Sequence, residues 1–277
     1  MQRYGSMAWG VVLAILALAE PAAAGWVIEQ VMRGDVEPGH MHVMLQSNRM
    51  KTVLVGPDGR PMMAHILDLD AQTITQVDYA RRSYAAATVQ EYAQVMRDAM
   101  GAAGQAMQQM REALRDMPPE QRQMMEQMMR SQAGGAPQDC REPQVEIRKT
   151  GQQATIAGYR AVRHDVFADG RPSAELWVAS ALTAWRELDP QKLERFSMEM
   201  ARAFPVCGAG PARAALLSRD HAWRLAAEGY PVRTVHRNGG TTTIEVVRAE
   251  SRVLPAAEFQ PPAGFARRSL SDLMGRQ

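Results

Sequence analysis

The sequence predicts an α+β fold: one large curved antiparallel sheet whose helices gather on one face. Three features of the chain lead there. Two blocks of short strand-like runs, about residues 26–84 and 144–179, are joined by turns rather than helices. A long helical stretch lies between them, and a last hairpin follows further helical sequence. That order is not the βαβ alternation of a parallel sheet.

Trp26 to Met32 (WVIEQVM) is rich in strand formers. His40 to Ser47 alternates, with Met41, Val43 and Leu45 on one side and His40, His42 and Met44 on the other. Asn48-Arg49 is read as a tight turn into Met50 to Val55, and Gly56-Pro57-Asp58-Gly59 is a strong turn signal. Met62 to Leu69, Thr73 to Val77 and Ser83-Tyr84 complete a meander of about five or six strands.

From Val89 to Arg130 the period changes. Tyr92, Met96, Ala99, Ala103, Met107, Met110, Leu114 and Met117 recur at steps of three and four, one narrow apolar stripe on a helix. Thr88 and Glu91 have the capping-box spacing. Pro118-Pro119 stops the helix and opens a second, Glu120 to Arg130, carrying Met124, Met125, Met128 and Met129. The insertion is thus about residues 88–131. Methionine is unbranched and adaptable, so the stripe suits packing on the strands, a lid over a greasy ligand, or soft-metal binding.

Gln144 to Lys149 and Gln153 to Ile156 read as a hairpin about Thr150-Gly151. Tyr159 to Phe167 and Pro172 to Ala179 flank Asp169-Gly170, a turn of the primed type, and Pro172 belongs at a strand start or an edge. Trp177 is read as core. Asp189-Pro190 opens a helix to about Ala203, and Pro211 to Glu228 looks partly helical. Tyr230 to Arg237 and Thr241 to Val247 form the last hairpin, and Phe259 to Phe265 caps the fold.

Arg3, the apolar run Met7 to Ala19 and Ala22-Ala23-Ala24 have the form of a Sec signal peptide, residues 1–24. The expectation is a periplasmic mature chain, 25–277, folded as a single domain with no transmembrane segment after cleavage. Cys140 and Cys207 would then meet an oxidising compartment. Pairing them as a disulfide closes a long loop worth roughly 4 kcal/mol, separate thiols being the other reading, and no C-x-x-C spacing points to redox or metal chemistry. The net charge is +2, which gives no case for nucleic acid.

Trp26 to Met32, Asn48 to Lys51, Asp68-Leu69-Asp70, Met117 to Met129 (MPPEQRQMMEQMM), Thr150 to Phe167 (TGQQATIAGYRAVRHDVF), Gly229 to Thr234 (GYPVRT) and Phe259 to Phe265 (FQPPAGF) resemble an uncharacterised family of exported bacterial proteins. That family resembles in turn the periplasmic lipoprotein carriers (LolA-like). The resemblance implies a half-open antiparallel barrel, its concave apolar face covered by helices, that holds acyl chains. It also implies a departure from those carriers in the long Met-rich helical insertion.

The functional expectation is a non-catalytic periplasmic binding protein for lipid or lipoprotein acyl chains. Its contacts are expected at Met41, Val43, Leu45, Val53 and Val55 of the sheet and Met96, Met100, Met107 and Met110 of the lid. One alternative is an envelope interaction or regulatory module that docks another envelope protein through the Met-rich helices. Another is a copper-binding protein using His40, His42 and Met44, since H-x-H on a strand places both imidazoles on one face. Exposed alternation explains that pair equally well. Asp68 and Asp70 are read as turn chemistry. No G-x-S-x-G, H-E-x-x-H, P-loop or Rossmann glycine pattern occurs, so neither an enzyme nor a cofactor is expected.

Overall fold

The computed structural model describes residues 24–35, 38–115, 144–203, 227–237 and 240–274, with single positions at 118, 121 and 225. The first block is a six-stranded meander: β1 (Gly25–Gly34), β2 (Gly39–Gln46), β3 (Arg49–Val55), β4 (Pro61–Asp68), β5 (Thr73–Asp78) and β6 (Ser83–Thr88). Its turns follow local chemistry. Ser47 and Asn48 both have positive φ, +49° and +64°, the geometry of a two-residue hairpin loop. At Gly56 to Gly59 the amide of Gly59 donates to the Gly56 carbonyl at 3.0 Å.

Helix α1 (Val89–Arg115) continues directly from β6. The capping box forms: the Glu91 amide donates to Thr88 Oγ1 at 3.2 Å, and the Thr88 amide donates to Glu91 Oε2 at 2.8 Å. The bonds that the Glu91 carboxylate accepts from the Thr88 amide and the Thr88 hydroxyl hold it below its ordinary value. Apart from the single position 121, the predicted second helix, 120–130, and the exit after it lie outside the described residues.

The second block contains β7 (Val145–Ile156), β8 (Tyr159–Ala168) and β9 (Arg171–Ala179). The hairpin predicted about Thr150 does not form. Instead β7 is one strand with an irregularity between Lys149 and Gln153, where Thr150 Oγ1 donates to the Arg163 carbonyl at 3.0 Å. Thr150 satisfies a strand carbonyl without reversing the chain, so the polar run makes a bulge. A 3-10 turn (Ala184–Glu187) leads into α2 (Pro190–Ala203). After it come β10 (Tyr230–Arg237), β11 (Thr241–Arg252), a second 3-10 turn (Ala256–Phe259), β12 (Ala266–Arg267) and the short α3 (Leu270–Met274).

The twelve strands among the described residues join one sheet, in the order β12-β6-β5-β4-β3-β2-β1-β11-β10-β9-β8-β7. Every pairing is antiparallel except β12 with β6. The two blocks are stitched at β1–β11. The sheet does not close: β7 and β12 are its edges. No helix among the described residues is long and apolar enough to cross a membrane.

The expected α+β architecture, a half-open barrel with helices covering its concave face, is therefore corrected. The molecule is one large, open, mostly antiparallel sheet, and helices are a minor part of it. The reason lies in the narrow stripe on α1. Its first turns meet the sheet, with Ala93 buried and Tyr92 and Val95 packed on Ala85 and Ala87 of β6. Beyond them the helix runs beside α2. A narrow stripe that meets β6 at one end and lies beside α2 further on leaves little apolar surface to roof the rest of the sheet.

Candidate functional site

Register assigns the side chains of the first block to two faces, because directly paired residues project to the same side. Met41 is paired with Gln30 and Leu54, Val43 with Ile28 and Thr52, and Leu45 with Trp26 and Met50. His40 is paired with Val31 and Val55, and His42 with Glu29 and Val53. The five expected sheet contacts are therefore divided: Met41, Val43 and Leu45 face one way, Val53 and Val55 the other.

The Val53–Val55 face is filled by the chain's own C-terminal strap. Leu254 and Phe259 pack with Val53, Val55, Ala64, Ile66 and Val77, and Phe265 joins them edge-on to Tyr79 at 5.5 Å. Arg49 lies over the Phe259 ring at 5.0 Å, and buried Lys51 is paired with Glu258 at 3.5 Å. His40, His42 and Met44 share this face. His40 is exposed and His42 half-buried, and among the described residues no group of three His, Cys, Asp or Glu is placed to hold a metal.

The opposite face is packed most densely at one end. Val43, Leu45 and Leu67 are buried with Leu182, Ala184 and Leu188, and Trp185, Leu193, Phe196 and Met200 pack against them. Across the other end runs a row fixed by register: Met63 beside Leu54, Leu54 beside Met41, Met41 beside Gln30, Gln30 beside Val246. Met63, Leu54 and Met41 are only partly buried, as are Met32 and its partner Ile244 one step along. At the usual strand spacing, Met63 to Gln30 spans about 14 Å. This is an apolar trough that the helices leave partly open.

The trough ends on a buried polar pair. Gln30 is 6% exposed and Tyr230 3%. Gln30 Nε2 donates to the Tyr230 hydroxyl at 3.3 Å, while Gln30 Oε1 has no partner. Tyr230 is stacked on Trp185 with ring centres 5.2 Å apart, and burial pushes its hydroxyl pKa well up. Gly229 places it: φ is +147°, and a Cβ there would lie 2.2 Å from the Ala179 carbonyl oxygen. Sequence reasoning did not single out Gln30 or Tyr230. The one available signal was a glutamine on the apolar side of an otherwise alternating strand.

Another polar cluster escaped the sequence reading. His164 is fully buried, its Nε2 3.2 Å from Glu228 Oε2, and Lys149 Nζ donates to the same oxygen at 2.6 Å. The Lys149 hydrogen bond, then the neighbouring His164 and Lys149 charges, hold the Glu228 carboxyl below its ordinary value. No hydroxyl or thiol nucleophile is bonded to this group among the described residues. Asp68 and Asp70 hold turn positions, as read: Asp68 Oδ1 accepts from the amides of Asp70 and Ala71. The side chains of Met96, Met100, Met107 and Met110, and Cys140 and Cys207, lie outside the described residues.

A family model described as a domain of unknown function (DUF4412) matches residues 207–265, which include β10, β11 and most of the strap. No curated protein matches the chain. Among solved structures, an uncharacterised conserved protein from Thermus thermophilus is similar at 9% identity and a TM-score of 0.41, over 90% of this chain and 91% of that one. MucB is similar at 10% identity and a TM-score of 0.37, and the Pseudomonas aeruginosa MucA/MucB complex at 10% and 0.36. This chain covers 88% and 87% of itself in those two matches and spans 59% and 57% of theirs.

Proposed function

We propose that this chain is a non-catalytic, exported binding module that holds an acyl chain of a lipid or lipoprotein. The occupant lies in the trough between Met63 and Gln30. The observation that carries the reading is the partly exposed apolar row Met63–Leu54–Met41, beside two faces packed by the chain's own core and strap. Two of its three residues are methionines, which repack around variable apolar partners. Each methylene buried there contributes up to about 0.8 kcal/mol, so affinity grows with the length of the acyl chain.

The test is native mass spectrometry of the full chain recovered from the periplasm without detergent, followed by lipid extraction. The expected result is co-purifying acylated material, reduced in a Met41→Gln/Leu54→Gln variant whose circular dichroism is unchanged. A bare protein mass, together with no displacement of a fluorescent acyl probe, overturns the reading.

A further inference from the structure

Resting on the acyl-chain reading, we infer that Gln30 and Tyr230 are the recognition point for an uncharged hydroxyl carried on the bound chain, and that they select against a charged end group. Bonded to each other, the two side chains still offer one donor and one acceptor. If Gln30 Nε2 donates to Tyr230, the Tyr230 proton and Gln30 Oε1 have no partner among the described residues. If the amide is turned over, Tyr230 donates to Oε1, leaving the Nε2 hydrogens and a Tyr230 lone pair. Either way the complement is a group that accepts and donates at once, and a hydroxyl does so with one atom.

The site is built rather than incidental. Pairing irregularities lie on both sides of it, between Glu29 and Gln30 where β1 meets β11, and between Pro231 and Arg233 where β10 meets β9. The first leaves Val247 outside the pairing and 46% exposed. Such bulges re-aim side chains beside functional sites. The pair is also neutral, and no Lys or Arg is hydrogen-bonded to either member among the described residues. A phosphate or carboxylate drawn to this depth would lose its hydration with no counter-charge, a far larger cost than burying a hydroxyl that finds both partners.

The test is displacement of a fluorescent acyl probe from the full chain, stripped of lipid, by hexadecane, 1-hexadecanol and hexadecyl phosphate. The wild type is expected to prefer the alcohol over both others by at least about tenfold, roughly 1.4 kcal/mol. Gln30→Leu is expected to lose that preference while still binding hexadecane. Tyr230→Phe, which keeps the ring on Trp185, gives the same readout if Gln30→Leu fails to fold. Equal binding of alcohol and alkane by the wild type would mean that the pair holds only an internal water, and overturns the inference. Preference for the phosphate, or a preference that survives both substitutions, also overturns it. Failure of every compound, the probe included, refutes the acyl-chain reading instead.

Discussion

Gln46 and Leu254 bind each other as two facing strand residues would. The Leu254 amide donates to Gln46 Oε1 at 2.7 Å, and Gln46 Nε2 donates to the Leu254 carbonyl at 3.1 Å. A buried side-chain amide thus stands in for a missing strand where the strap leaves β11. Gln46→Leu leaves a buried N–H and a buried carbonyl bare, and is expected to cost about 2 kcal/mol. The urea midpoint checks this; an unchanged midpoint would show that the strap is held by Leu254 and Phe259 alone.

Gln30 and Tyr230 give a sharper stability test. Tyr230→Phe strips the amide of its one side-chain hydrogen bond among the described residues and is expected to destabilise by about 1–3 kcal/mol. Adding Gln30→Leu removes the orphaned amide as well, so the double variant is expected to recover most of that loss. Denaturation of all four proteins yields the coupling, and additive losses would contradict it.

Asn48 ties three turns together. Its Nδ2 donates to Asp70 Oδ1 at 3.0 Å, its Oδ1 accepts from the Asp189 amide at 2.7 Å, and its backbone amide donates to the Glu187 carbonyl at 2.8 Å. Its φ of +64° adds a conformational demand. Both Asn48→Gly and Asn48→Ala lose the side-chain bonds, but alanine also bears the left-handed backbone. Thermal unfolding is expected to rank wild type above glycine and glycine above alanine, the last step being roughly 1 kcal/mol.

Glu228 sets a pH dependence. Its folded pKa lies below the ordinary 4.5, so its contribution is complete above that value and is lost as pH falls through the folded pKa. The side chain is 41% exposed, so solvent screens the effect. Glu228→Gln is therefore expected to flatten the acid limb of stability below about pH 4.5 and leave the alkaline limb unchanged. Urea midpoints measured from pH 3 to 8 decide it.

Much of the sheet was legible because period-2 alternation and turn chemistry act locally. Asp169-Gly170 has the paired positive φ values its sequence implies, +48° and +75°, and α2 opens at Pro190 as read. Pro172 stands at the second residue of β9, beside a register shift that accommodates its missing N–H. What local pattern cannot supply is the choice of face. Val43 and Val53 look alike in sequence, yet pairing through Thr52 and His42 sends them to opposite sides. The pair at the trough's end is non-local for the same reason: Gln30 and Tyr230 stand 200 positions apart, and neither is unusual beside its own neighbours.

The seam between the two blocks also dictates a schedule. β1 is made some 200 residues before β11, yet one of its two edges is completed only by that strand, after residue 241. Until then the meander presents an unsatisfied row of amides and carbonyls, a template for pairing with other chains. Contacts of such sequence separation close slowly, so the nascent chain must be kept from its neighbours while most of it is still being synthesised.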